Sequence, residues 1–186
     1  MYQDVVISGF GGQGILMIGN LLSIAGISEG RNVTYFPAYG VEMRGGTANC
    51  TVIISDREIG SPVIGNPMAL IAMNGPSLVK YLGDVKEGGT VIVNSSLCDT
   101  HQIDREDIEL VCLPANDIAE RVGSQQLASM VSLGAFVHKS EAVLIESLID
   151  CLPKVISRRY EKLIPLNREA IKEGEKVARE RQGRIG

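Results

Sequence analysis

The sequence predicts an α/β protein: a single three-layer, Rossmann-like domain over residues 1–186, with a mainly parallel sheet and helices on both faces. Three observations predict it. A β-branched run, a glycine turn, a helical pattern and a second strand follow one another within the first 36 residues. Further short apolar runs bounded by turns continue to Pro114. From about residue 115 onward the pattern is helical. Apolar residues make up 45% of the chain, enough for one substantial core, and with 4% aromatics and no Trp that core is aliphatic.

The elements follow in order. DVVIS (Asp4 to Ser8) is β-branched and ends in glycines, as a buried strand does. From Gln13 to Glu29, the residues Ile15, Leu16, Ile18, Leu22 and Ala25 recur at helical spacing, and Gly30 closes the helix. NVTYF (Asn32 to Phe36) is the second strand, which completes a βαβ unit with an expected right-handed crossover. A loop, PAYGVEMRGGTA (Pro37 to Ala48), leads to the strand NCTVIIS (Asn49 to Ser55). ALIAMN (Ala69 to Asn74), TVIVN (Thr90 to Asn94) and IELVCLP (Ile108 to Pro114) are further strands, with a helix from Pro76 to Leu82. Helices are expected over Asn116 to Val122, Leu127 to Val137 and Glu141 to Leu152, and Pro165 opens a last one. In LASMVSLGAF (Leu127 to Phe136) apolar residues occupy more than one helical face, which predicts an apolar surface kept for a partner.

Composition narrows the function. A net charge of −4 argues against general nucleic-acid binding. The N-terminus, MYQDVVISGF, has no basic region and no long apolar run, so no signal peptide is expected. No stretch approaches the roughly 20 apolar residues of a membrane span, and the expected location is the cytoplasm. Cys50, Cys98, Cys112 and Cys151 are scattered, with no C-x-x-C spacing and no nearby His, so a zinc or iron–sulfur site built by this chain alone is not expected.

The turn SGFGGQG (Ser8 to Gly14) places Gly9, Gly11 and Gly14 at G-x-G-x-x-G spacing, with Gly12 and Gln13 between them. Such a turn lets backbone N–H groups approach an anion at a helix N-terminus. A nicotinamide site also needs Asp or Glu at the end of the second strand, about 20 residues on. That strand ends in Phe36-Pro37-Ala38-Tyr39, which excludes the NAD reading. Two readings of the turn stay open: an anion site, or glycines that only permit close strand–helix packing. The stretch YGVEMRGG (Tyr39 to Gly46) frames Glu42 and Arg44 with Gly40, Gly45 and Gly46. Arg44 can hold a carboxylate or phosphate bidentately, or pair locally with Glu42.

Taken together, GFGGQG, YGVEMRGG, SDREIGSPVI (Ser55 to Ile64), LIAMN, MVSLGA (Met130 to Ala135) and NREAIKEG (Asn167 to Gly174) resemble the gamma subunit of the 2-oxoacid:ferredoxin oxidoreductases along nearly the whole chain. One departure is Ser129, where such sequences often carry Asn. The resemblance implies one subunit of an enzyme that decarboxylates a 2-oxoacid on thiamine diphosphate, reduces ferredoxin through iron–sulfur clusters and forms an acyl-CoA. The chain has no G-D-G…N thiamine pattern, since Gly83-Asp84 is followed by Val85. The resemblance therefore implies that thiamine diphosphate, Mg and the clusters belong to partner subunits, and that ferredoxin is met indirectly. What it implies for this chain is assembly and part of a CoA site at the interface. The contributors would be Gly9, Gly11, Gly12, Gln13 and Gly14, with Tyr39, Gly40, Glu42, Arg44, Gly45 and Gly46. No catalytic or metal-binding residue is expected, and His101 and His138 read as ordinary. Pyruvate, 2-oxoglutarate, branched-chain and aryl oxoacids stay open as substrates, with a lean to 2-oxoglutarate. The alternative reading is a stand-alone nucleotide- or CoA-binding module.

Overall fold

A computed structural model describes residues 1–39 and 47–180. Six strands form one sheet: β1 (Tyr2–Phe10), β2 (Asn32–Tyr39), β3 (Thr47–Ser55), β4 (Ala69–Ala72), β5 (Thr90–Asn94) and β6 (Glu109–Leu113). Their order is β2-β3-β1-β4-β5-β6. The ladders β1/β4, β4/β5 and β5/β6 are parallel, whereas β3 is antiparallel to both β1 and β2. Five strands thus share one direction, as the mainly parallel reading requires. The first two strands do not pair with each other, because β3 lies between them.

Alternation along β1 assigns the two faces. Val5 and Ile7 point to one side, where Cys50, Val52, Ile54, Ile71, Ile92, Val111 and Leu113 join them in the main core. Six helices build on this side: α1 (Ile15–Ser28), α3 (Ala115–Val122), α4 (Ala128–Ser140), α5 (Ile145–Asp150), α6 (Leu152–Val155) and α7 (Ile164–Glu180). Val6 points to the other side and packs with Leu70, Ala72, Val91, Val93 and Cys98, under Leu78 of α2 (Gly75–Tyr81). Helices therefore cover both faces, very unequally.

Several local expectations change. β2 continues through Pro37 to Tyr39, because it is an edge strand and a missing N–H there costs no ladder bond. The helix expected over 141–152 is two short ones. Glu141 adopts φ +50 and ends α4, and Pro153 sits in the first turn of α6. The apolar α4 is not a partner surface: residues 128–137 are all buried, because α7 lies across it. A methyl group at Gly134 would run into the Ile171 carbonyl, and one at Gly174 into the Val131 carbonyl, so this crossing needs two bare helix surfaces. Among the described residues no helix is long and apolar enough to cross a membrane.

Candidate functional site

β1 hands the chain to α1 on one face, and β4 hands it to α2 on the other. Between their C-terminal ends lies the crevice where doubly wound sheets bind ligands. The glycine turn stands on its lip. Gly9, within β1, has no room for a side chain: a methyl group there would stand 2.6 Å from Ile15 Cδ1 and 2.7 Å from Gln13 Oε1. Gly11 and Gly12 are exposed, and Gly12 adopts φ +93 with open space around it. Gly14 is the N-cap of α1 at φ +78, and no side chain caps that helix. Gly9 therefore answers to packing, Gly12 to backbone conformation and Gly14 to both.

Gln13 is a strut. Its Oε1 accepts from the Phe10 N–H at 2.6 Å and from Asn74 Nδ2 at 3.2 Å, while its Nε2 donates to the Met73 carbonyl at 3.4 Å. Asn94, at the end of β5, donates to the same carbonyl at 3.3 Å and to Asn116 Oδ1 at 2.8 Å. Its own Oδ1 accepts from the N–H of Ala115, the first residue of α3, at 3.1 Å. Asn74 Oδ1 caps α2 through the Ser77 N–H at 2.9 Å. Four amide side chains thus tie the strand ends of β1, β4 and β5 to the starts of α2 and α3. Asn74, Asn94 and Asn116 were not among the expected site residues. The signal that marks Asn74 and Asn94 is that two buried strand patterns, LIAMN and TVIVN, each end in Asn, whereas Asn116, inside α3, carries no such signal.

A cleft of about 190 Å³ opens above this network, lined by Gly12, Gln13, Met73, Asn116, Gln125, Gln126 and Ala128. No lining side chain is titratable, so the cleft offers neutral donors and no general base. The N-terminal partial charge of α1 adds an attraction for anions, and that helix has no acidic residue in its first turn. Ser129, in the first turn of α4, is fully buried, and its hydroxyl finds no partner among the described residues. It lies against the N-cap of α1, where a methyl group on Gly14 would stand 2.5 Å from Oγ.

Register brings the second motif to the same place. Tyr39 pairs with Ala48, and Ala48 pairs with Gly9, so the strand ends that flank YGVEMRGG sit in one row with the glycine turn. Gly40, Glu42, Arg44, Gly45 and Gly46 themselves lie outside the described residues.

Elsewhere, His101 is exposed, and the Nε2 of His138 in the last turn of α4 is buried without a partner among the described residues. Among the described residues no cysteine is in a disulfide, and no group of three or more His, Cys, Asp or Glu is able to bind a metal. Burial pushes the Cys50 thiol up to about 12, and burial together with nearby Cys112 pushes Cys98 up to about 11. Neither is a nucleophile at neutral pH.

Residues 4–177 match the family described as pyruvate ferredoxin/flavodoxin oxidoreductase. The chain belongs to this family. It is 38% identical over 176 residues to the ketoisovalerate oxidoreductase subunit VorA of Methanothermobacter marburgensis, covering 94% of this chain and 36% of that protein. The chain thus spans about a third of the length of the VorA relatives. It is 32% identical to the 2-oxoglutarate synthase subunit KorC of the same organism, covering 95% of this chain and 100% of that protein. Among solved structures, the gamma subunit of a keto/oxoacid ferredoxin oxidoreductase from Geobacter sulfurreducens superposes with a TM-score of 0.82 at 29% identity, covering 96% of this chain and 99% of that one. The fold also recurs, with a TM-score of 0.87 at 22% identity, in 31% of a chain of the 2-oxoglutarate:ferredoxin oxidoreductase from Magnetococcus marinus. The resemblance read from the glycine turn and the later motifs is a true family membership.

Proposed function

We propose that this chain is the gamma subunit of a multi-subunit 2-oxoacid:ferredoxin oxidoreductase, working in the cytoplasm as one domain that assembles with thiamine-binding and iron–sulfur subunits. The observation that carries the proposal is the family match along 174 residues together with a KorC relative matched over its whole length. That end-to-end match makes 2-oxoglutarate the first substrate to test, ahead of pyruvate and the branched-chain and aryl oxoacids. Ferredoxin is met through the cluster-bearing partner.

Within the assembly, this chain supplies part of the CoA site. Backbone N–H groups of Gly11, Gly12 and Gly14 offer donors at the uncapped N-terminus of α1, suited to a phosphate oxygen. Gly9 and Gln13 hold the turn in shape. Arg44, framed in sequence by Tyr39, Gly40, Glu42, Gly45 and Gly46, supplies a cation for that phosphate. In this reading thiamine diphosphate, Mg and the iron–sulfur clusters belong to the partner subunits, since the sequence carries neither the G-D-G…N pattern nor ferredoxin-type cysteine spacing.

The test is Arg44→Ala in the assembled enzyme. Losing one charge-assisted contact weakens binding about 10- to 150-fold, so the KM for CoA rises by that factor while the KM for the oxoacid holds. Arg44→Lys recovers only part, because an ammonium cannot make the planar fork. Loss of subunits on gel filtration, with all substrates affected alike, would instead place Arg44 in an assembly contact. Normal CoA kinetics in an intact complex would return it to a local ion pair with Glu42.

A further inference from the structure

The segment from Leu152 to Arg168 carries an unusual local charge. It holds Lys154, Arg158, Arg159, Lys162 and Arg168 against one carboxylate, Glu161, a net +4 in a chain whose total is −4, which leaves −8 on the rest. None of the five cations pairs with a carboxylate among the described residues. At the centre is a 3₁₀ helix, Arg158–Leu163, that buries no side chain, and with Ser157 it makes seven consecutive exposed residues. Its shape is nevertheless fixed. The Tyr160 N–H donates to the Ser157 carbonyl at 2.8 Å and the Ile156 N–H to the Leu152 carbonyl at 2.9 Å, and α7 begins directly after it.

Ordering backbone costs about 1–2 kcal/mol per residue, and burial within this chain does not offset that here. The side chains suit a partner. Tyr160 is half exposed, with the Arg159 guanidinium 5.4 Å from its ring centroid, and Leu163 is also exposed. Exposed Tyr and Arg beside an aliphatic side chain are the composition of a protein interface. A small ligand needs a concave site, and every residue of this helix is exposed. A long nucleic acid would also meet the net negative charge of the remaining surface.

We propose that the 157–163 helix is a docking surface for an acidic face on another subunit of the assembly. This rests on the subunit reading above. The experiment compares the full chain with an Arg158→Glu/Arg159→Glu/Lys162→Glu variant, each co-expressed with the thiamine-binding and iron–sulfur subunits. Native mass spectrometry follows assembly as salt is raised, and circular dichroism checks the fold. The wild-type complex is expected to loosen with salt. The variant is expected to bind its partner at least about tenfold more weakly and to lose most of that salt dependence. Tyr160→Ala is expected to weaken assembly while leaving the salt dependence intact. A charge-reversed variant that assembles like wild type overturns this inference alone. A wild-type chain that recruits no subunit overturns the subunit reading as well. Normal assembly of the variant combined with loss of heparin or duplex-DNA binding overturns it in favour of a nucleic-acid surface.

Discussion

Ser129 and Gly14 meet where two helices start, and each explains the other. Gly14 must be glycine because its φ is +78 and because the Ser129 hydroxyl fills the space a methyl group would take. That hydroxyl is fully buried and has no partner among the described residues, and leaving such a group unpaired costs roughly 1–3 kcal/mol. Ser129→Ala in the isolated chain is therefore expected to hold or raise the urea midpoint. A drop of more than about 1 kcal/mol would show that the hydroxyl has a partner in the folded state. The glycine spacing was legible in the sequence, but its division of labour was not. The close approaches at Gly9 involve Gln13, Ile15 and Met73, and the last of these follows directly on β4, about 60 positions away. Asn94 shows the same limit: besides the nearby Ser96 N–H, its amide serves Met73, Ala115 and Asn116, each more than 20 positions away.

The pairing of α4 with α7 sets the thickness of the helical layer. Gly134 and Gly174 face backbone carbonyls of the opposite helix, so neither position can yield by rotating a side chain. Gly174→Ala is expected to destabilise by about 3 kcal/mol, the upper end for overpacking, despite the helix propensity gained from alanine. Urea unfolding measures this, with far-UV circular dichroism checking that helix content survives. An unchanged midpoint would mean that the two helices separate freely. The sequence displayed the apolar surround of α4 but not its cover. A helix that is apolar on every side looks the same whether a partner chain or its own last helix buries it, and α7 is more than 20 residues further on. Strand existence was legible from β-branched runs throughout. The direction and place of β3 were not, since a strand pattern such as NCTVIIS carries no sign of which neighbour it will choose.

At the scale of the whole molecule, buried thiols tie stability to pH. The ordinary value of 9.0 rises to about 12 for Cys50 and about 11 for Cys98, so the folded state keeps protons that the unfolded chain gives up. Their contribution is intact below pH 9 and is lost as pH rises toward 11 and then 12. Urea midpoints are expected to hold from pH 7 to 8.5 and fall beyond about pH 9. Iodoacetamide should label Cys50 and Cys98 only after unfolding, and rapid labelling of either in the native protein at pH 8 would contradict their burial. The order of the sheet also bears on how the chain comes off the ribosome. Tyr2 pairs with Ser55 and Phe10 with Thr47, while β1 meets β4 only from residue 69 onward. The first strand therefore leaves the exit tunnel with neither neighbour yet made. It must stay solvated through the synthesis of α1 and β2, until β3 emerges to join them.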